Sequence, residues 1–226
     1  MTPLVELKGR EKILVVRTDR IGDLVLTTPM FELLKKNFPN VTIDALVSQY
    51  SRPVLDHNPF INTVIVYSES KSLLNILRQN QYDTAILVYP RFSLAWLLYK
   101  SGVSRRIGTA YRWYSFLFTH KIYQHRQRVE KHELEYNLEL LSPLGIKSEP
   151  ILPKLYHSKS EIEKAELLLR EQGLKPDDMK IAIHPGGGRS SLRWSEERFA
   201  ELAEKIKTEL GAKIIVTGVE SERPWA

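Results

Sequence analysis

The sequence predicts an α/β chain built on a parallel sheet, with a second α/β unit opening near residue 158. Three observations carry this. In the first 150 residues, short β-rich runs alternate with stretches of helical apolar spacing. A stiff connection, Ser148-Glu149-Pro150 through Pro153, then interrupts the pattern. Beyond it the alternation resumes as strand, glycine-rich loop, helix and strand. Domains at 1–150 and 158–226 follow.

Each element has its own warrant. Lys12–Arg17 (KILVVR) is the near-continuous apolar run of a strand buried on both faces. Ile21–Phe38 carries apolar residues at helical spacing and stops at Pro39-Asn40. Val41–Val47, Thr63–Tyr67 and Thr84–Val88 are the next three strands, with helical stretches at Leu73–Leu77 and Leu94–Tyr99. Glu130–Leu141 is a further helix, ended by Pro143 and Gly145. After the connection, Ser158 pairs with Glu161 as a capping box for a helix that runs to Gln172 and stops at Gly173. Strand Lys180–His184, helix Ser195–Leu210 and strand Lys213–Thr217 follow, and Glu220–Glu222 starts something further. A two-stranded sheet is marginal alone. The second domain is therefore expected to be incomplete in these 226 residues, calling for a missing C-terminal segment or a covering partner.

Hydrophobic residues make up 42% and charged residues 27%, a globular balance that excludes disorder and collagen. The longest apolar runs, Ile13–Val16 and Leu94–Tyr99, fall far short of the ~20 residues of a membrane span. The N-terminal MTPLVELKGREK lacks a secretory apolar core, and without Cys there are no disulfides or thiolate metal sites. A cytoplasmic address is expected. The net charge of +6 is concentrated: Arg91 to Val129 contains no Asp or Glu but holds Arg91, Lys100, Arg105, Arg106, Arg112, Lys121, Arg126 and Arg128. Nine aromatic residues interleave with them, from Phe92 and Trp96 to Trp113 and Tyr123. Such a segment suits an anionic partner, whether phosphorylated lipid, a membrane surface or nucleic acid. It equally suits a solvated basic face around an aromatic cluster.

Two motifs carry chemistry. The first is the turn after strand one, Arg17-Thr18-Asp19-Arg20-Ile21-Gly22-Asp23. Ligands of open α/β sheets sit outside the carboxyl ends of the strands, where this turn lies. Gly22 suits a tight turn and close backbone approach. Asp23, at a helix start, is a candidate general base. From spacing alone it reads first as an ordinary first-turn acid with Gly22 serving the turn, and Asp19 is a rival base that could instead cap the helix. The second motif is His184-Pro185-Gly186-Gly187-Gly188-Arg189-Ser190-Ser191-Leu192-Arg193-Trp194-Ser195. Bare amides of Gly186, Gly187 and Gly188 before a helix capped by Ser195 make a diphosphate cradle, with Ser190 and Ser191 as donors and Arg189 and Arg193 as counter-charge. A flexible loop with incidental arginines is the alternative. There is no Walker Gly-Lys-[Ser/Thr], no Gly-x-Ser-x-Gly elbow, and no clean metal spacing among His120, His125, His132 and Glu133.

Together these motifs resemble glycosyltransferase family nine, the lipopolysaccharide heptosyltransferases. The opening signature is Arg17 through Asp23 with Thr27-Thr28-Pro29; the second is His184 through Gly188 with Arg193-Trp194, Glu197, Arg198-Phe199 and Leu202-Ala203. The resemblance runs from Lys12 to the end of the chain and implies a GT-B architecture of two Rossmann-like domains, the second incomplete here. It implies inverting, metal-independent transfer of a sugar from a nucleotide-activated donor, typically ADP-heptose, to the phosphorylated lipopolysaccharide core. The donor is a substrate, and no cofactor is implied. Asp23 maps onto the family's catalytic aspartate and Gly186–Ser191 onto its phosphate loop. The basic segment, through Arg91, Arg105, Arg106, Arg112, Lys121, Arg126 and Arg128, is then expected to hold an anionic glycolipid at the inner face of the cytoplasmic membrane, with no part for nucleic acid. Two departures stand out. Leu192 occupies a position often Lys or Arg in the family, and the family's later Asp-Thr-Gly-x-x-His stretch does not occur. An inactive truncated relic, or a non-enzymatic anion- or lipid-surface-binding module, is the alternative. A nicotinamide oxidoreductase is disfavoured, because strand one is followed by Thr-Asp-Arg-Ile-Gly-Asp rather than a glycine fingerprint.

Overall fold

The structure is a computed structural model that describes residues 7, 10–148, 151–186, 194–220 and 222. It separates into two compact units, Met1–His157 and Ser158–Ala226.

The first unit is a six-stranded parallel sheet. Its strands are β1 (Lys12–Arg17), β2 (Thr42–Val47), β3 (Thr63–Val66), β4 (Thr84–Leu87), β5 (Arg105–Thr109) and β6 (His120–Ile122), in spatial order β3-β2-β1-β4-β5-β6. β1 is central, pairing with β2 from Lys12↔Thr42 to Arg17↔Val47 and with β4 from Ile13↔Thr84 to Val16↔Leu87. Its side chains alternate between two fully buried layers, which explains the unbroken apolar run. Ile13 and Val15 join the layer of Phe31, Leu34 and Leu138, while Leu14 and Val16 join that of Leu73, Leu94 and Phe118. Helices α1 (Ile21–Val25), α2 (Thr28–Asn37) and α5 (Glu133–Glu139) cover the first face; α3 (Lys71–Asn80) and α4 (Phe92–Lys100) cover the second. The strand order reverses between β1 and β4, so a crevice opens at their carboxyl ends.

One expectation needs correcting, and two strands add to the expected set. The helix predicted over Ile21–Phe38 is broken at Leu26-Thr27. Pro29 has no N–H to continue the ladder, and the hydroxyls of Thr27 and Thr28 bond back to the carbonyls of Asp23 (2.8 Å) and Val25 (2.8 Å). The basic segment contains two strands, β5 and β6, that its composition conceals. A Cβ on Gly108 of β5 would lie 2.6 Å from the Phe118 ring, so the close approach of that ring requires glycine. Gly108→Ala should cost about 1–3 kcal/mol by overpacking, read as a lowered urea midpoint. An unchanged midpoint would mean that the ring has somewhere else to go.

The second unit holds α6 (Lys159–Glu171), β7 (Lys180–Ile183), α7 (Glu196–Leu210) and β8 (Lys213–Val216). The two strands pair in parallel from Lys180↔Lys213 to Ile183↔Val216, making one β-α-β unit. Ser158 and Glu161 form the capping box of α6, and Gly173 follows its end at φ +78°. Among the described residues, no helix is long and apolar enough to cross a membrane.

Candidate active site

The β1–α1 turn is organised by one buried guanidinium. Arg17 ends β1 at the mouth of the sheet with its side chain 4% exposed. It bonds Asp19 through Nε (2.7 Å), Asp23 through Nη2 (3.1 Å), and Glu133 (3.1 Å) and Asn137 (3.2 Å) through Nη1. The last two belong to α5. Asn137 Nδ2 in turn donates to the Leu26 carbonyl (3.1 Å) and to Thr27 Oγ1 (3.4 Å), whose hydroxyl donates to the Asp23 carbonyl. The result is a closed ring: Arg17, Asp23, Thr27, Asn137, and back to Arg17.

Asp23 sits in the first turn of α1. One carboxylate oxygen meets Arg17 while the side chain stays 31% exposed, so it is held in place yet open to a ligand. Asp19 differs. Its side chain is only 12% exposed, and burial raises its pKa although the Arg17 guanidinium pulls it down. Nor does it cap α1: the N-cap is Arg20, and no side chain caps that end. Gly22 has an ordinary φ, and a Cβ there would meet nothing within 4 Å. The turn therefore does not demand glycine, contrary to expectation; what Gly22 provides is open space next to Asp23.

The predicted acceptor residues do not stay together. Arg91, the N-cap of α4, follows the carboxyl end of β4 and lies over the Tyr89 ring (5.9 Å). Arg112 follows β5 and is exposed. Arg126 joins the cluster around Asp23: it bonds Glu133 (2.6 Å), packs over Tyr136 (5.4 Å), and has its pKa lowered by burial. Arg128 pairs with Glu130 at the surface (3.7 Å), and Lys121 lies half-buried on β6. Arg105 and Arg106 open β5, at the amino ends of the strands, whereas Asp23 follows the carboxyl end of β1. Arg105 bonds Thr84 Oγ1 (3.0 Å), and Arg106 bonds the carbonyls of Leu117 (2.7 Å) and Val103, so both tie down the sheet there. His132 caps α5, and His125 meets the Tyr111 hydroxyl (2.7 Å). Among the described residues, no three acidic or histidine side chains gather as a metal-binding group.

In the second unit, His184, Pro185 and Gly186 leave the carboxyl end of β7; Gly187, Gly188, Arg189, Ser190, Ser191 and Arg193 lie outside the described residues. Ser195 is the N-cap of α7, but its hydroxyl bonds the Glu197 carboxylate, lowering that pKa, rather than capping the helix. A cavity of about 280 Å³ lies past the two strand ends, lined by Pro185, Gly186, Thr217, Gly218, Val219 and Glu222. The Glu222 carboxylate accepts from the Val219 amide (3.0 Å) and lies so near Gly186 that a Cβ there would be 2.3 Å from it. Sequence reasoning missed Glu222, along with the holding roles of Arg17, Glu133 and Asn137. An arginine ending an otherwise apolar buried strand was the available signal.

Residues 71–223 match the model for glycosyltransferase family 9 (heptosyltransferase). A glycosyltransferase candidate of Haemophilus influenzae is 32% identical over 229 residues, covering 95% of this chain and 66% of its own length. Lipopolysaccharide heptosyltransferase 3 of Escherichia coli K12 is 26% identical over 208 residues, covering 87% and 60%. Among solved structures, a family 9 glycosyl transferase of Veillonella parvula superposes with a TM-score of 0.82 at 23% identity, covering 95% of this chain and 65% of that one. ADP-heptose lipopolysaccharide heptosyltransferase II of E. coli gives 0.78 at 21%, covering 95% and 66%. These two likenesses establish the fold. The chain spans 60% to 66% of the length of these two sequence relatives.

Proposed function

The chain belongs to glycosyltransferase family 9, the heptosyltransferase family, and from that premise we propose that it supplies the acceptor half and part of the donor half of an inverting sugar transferase. The donor is ADP-heptose and the acceptor a hydroxyl of the phosphorylated lipopolysaccharide core, reached at the inner face of the cytoplasmic membrane. The observation that carries the reading is Asp23: a carboxylate at the crevice of a parallel sheet, braced by a buried arginine and still open.

In the proposed step Asp23 takes the proton of the acceptor hydroxyl. The oxygen forms a bond to the anomeric carbon while the bond from that carbon to the diphosphate breaks on the opposite face. The bonding pair leaves with ADP. Its growing charge is met by the amides of Gly186–Ser191 with Arg189 or Arg193, without a metal or a cofactor. Arg91 and Arg112, behind the carboxyl ends of β4 and β5, are the cations best suited to the acceptor's phosphates.

The direct test supplies ADP-heptose and a heptose-deficient core acceptor to a chain of the relatives' full length. Expected are ADP release, an inverted anomeric centre by NMR, and indifference to EDTA. Retained configuration rejects the single displacement, and a loss of rate in EDTA rejects metal independence. Binding of both substrates without transfer would favour the binding-module alternative. On the donor side, Glu222 is suited to accept the ribose hydroxyls, as an acid past the second strand of a nucleotide-binding β-α-β unit does. Glu222→Gln should weaken ADP binding by about tenfold, the worth of a charged hydrogen bond, in calorimetry. Unchanged affinity would take the ribose away from Glu222.

A further inference from the structure

A layer of aromatic residues that the proposed reaction does not use lies on α4 and just beyond β5, bordered by Arg91 and Arg112, the cations proposed above for the acceptor. On α4, Phe92, Trp96 and Tyr99 recur at helical spacing and are all exposed. Phe92 stacks on Trp96 (6.2 Å) and on Trp113 (4.8 Å), and Trp96 stacks on Tyr99 (5.5 Å). Trp113 is 72% exposed, and Phe116, 66% exposed, follows in the short helical turn that packs against α4. Basic groups frame this layer. Lys100 lies over Trp96 (5.1 Å) and Arg106 over Tyr99 (5.5 Å), while Arg91 and Arg112 adjoin Phe92 and Trp113 in the chain. No carboxylate occurs between Arg91 and Val129 to balance them.

From this layer we infer a docking surface for an anionic lipid bilayer. Rings with polar edges, beside long basic side chains, suit the interface between headgroups and acyl chains. The ring geometry weighs against a sugar or a nucleobase. Those ligands stack on free ring faces, whereas Trp96 already meets Phe92, Tyr99 and Lys100, and Trp113 already has Phe92 stacked on it and Tyr114 at its edge. A second copy would bring the same positive charge against itself. The bilayer answers both demands, giving apolar depth to the ring edges and negative charge to the frame. The inference does not rest on sugar transfer, though it would bring a lipid-borne acceptor to the enzyme.

The test sediments the 226-residue chain with phosphatidylcholine–phosphatidylglycerol vesicles free of glycolipid and donor, so its outcome is independent of the proposed reaction. Binding is expected to the anionic vesicles, to weaken with salt, and to be slight on phosphatidylcholine alone. Trp113→Ser and Phe116→Ser should each weaken it by about tenfold, from the loss of a buried ring, and Arg112→Gln by about fivefold. Both aromatic sites are exposed, and circular dichroism checks that their variants keep the fold. Equal binding to neutral vesicles, no binding at all, or variants that bind like the parent would overturn the inference. So would RNA that displaces the chain from vesicles and loses affinity in the same variants.

Discussion

Asp23→Asn, in a chain of the relatives' full length, should lower turnover by about a hundred- to ten-thousand-fold, the range that a positioned general base contributes. Donor affinity should hardly change. Asparagine keeps the shape and can still accept from Arg17 Nη2, so the turn stays in place while the proton acceptor is lost. The 31% exposure of Asp23 makes a folding defect a poor explanation for the lost rate. The signature is a fall in kcat with an unchanged KM for the sugar donor, as expected when a group acts only in the transition state. Near-normal turnover in the variant would remove Asp23 from the chemistry and leave Asp19 as the acid to test.

The second large effect is structural and needs only the present chain. Arg17→Met leaves Asp19, Asp23, Glu133 and Asn137 around a side chain that cannot donate. Removing one partner of a buried pair costs about 3–5 kcal/mol, and the lower end applies because Asp23 and Glu133 are nearly a third exposed. At roughly 2–4 °C per kcal/mol, the melting temperature should fall by about 6–12 °C. Arg17→Lys should recover only part of this, since one ammonium cannot reproduce the fork that spans β1, α1 and α5. The defect should also depend on pH. Asp19 has a folded pKa above its unfolded value, so folding takes up protons there and its charge opposes stability as pH rises. Without Arg17 that opposition grows, so the gap between variant and parent should be small in acid, widen as pH rises through the raised pKa of Asp19, and stay level above it. A gap that ignores pH would show that the lost packing of Arg17, not its charge, sets the cost.

What was legible in the sequence follows from its physics. β1, β2 and β4 are buried on both faces, and their apolar runs announce it. β5 and β6 do not read as strands, because RRIGT and HKI are short and half basic and their pairing is set by the sheet. The break at Thr27 depends on hydroxyls bonding back to carbonyls, which periodicity cannot register. At the site, Asp23 was visible as an acid at a strand's end. The role of Arg17 was not, since its partners Glu133 and Asn137 are 116 and 120 positions away in the chain. The separation of Arg105 and Arg106 from Arg91 and Arg112 was hidden for the same kind of reason. Charge counting places these residues in one segment, whereas in the fold Arg105 and Arg106 lie at the amino ends of the strands and Arg91 and Arg112 past the carboxyl ends.

The ring through Arg17, Asp23, Thr27 and Asn137 is complete between positions 17 and 137. Every group of this ring lies in the first unit. The first unit thus carries the bracing of Asp23 within itself: joined to a different downstream half, it would bring that carboxylate already positioned. Variation downstream of the junction can then accumulate without disturbing how the Asp23 carboxylate is held.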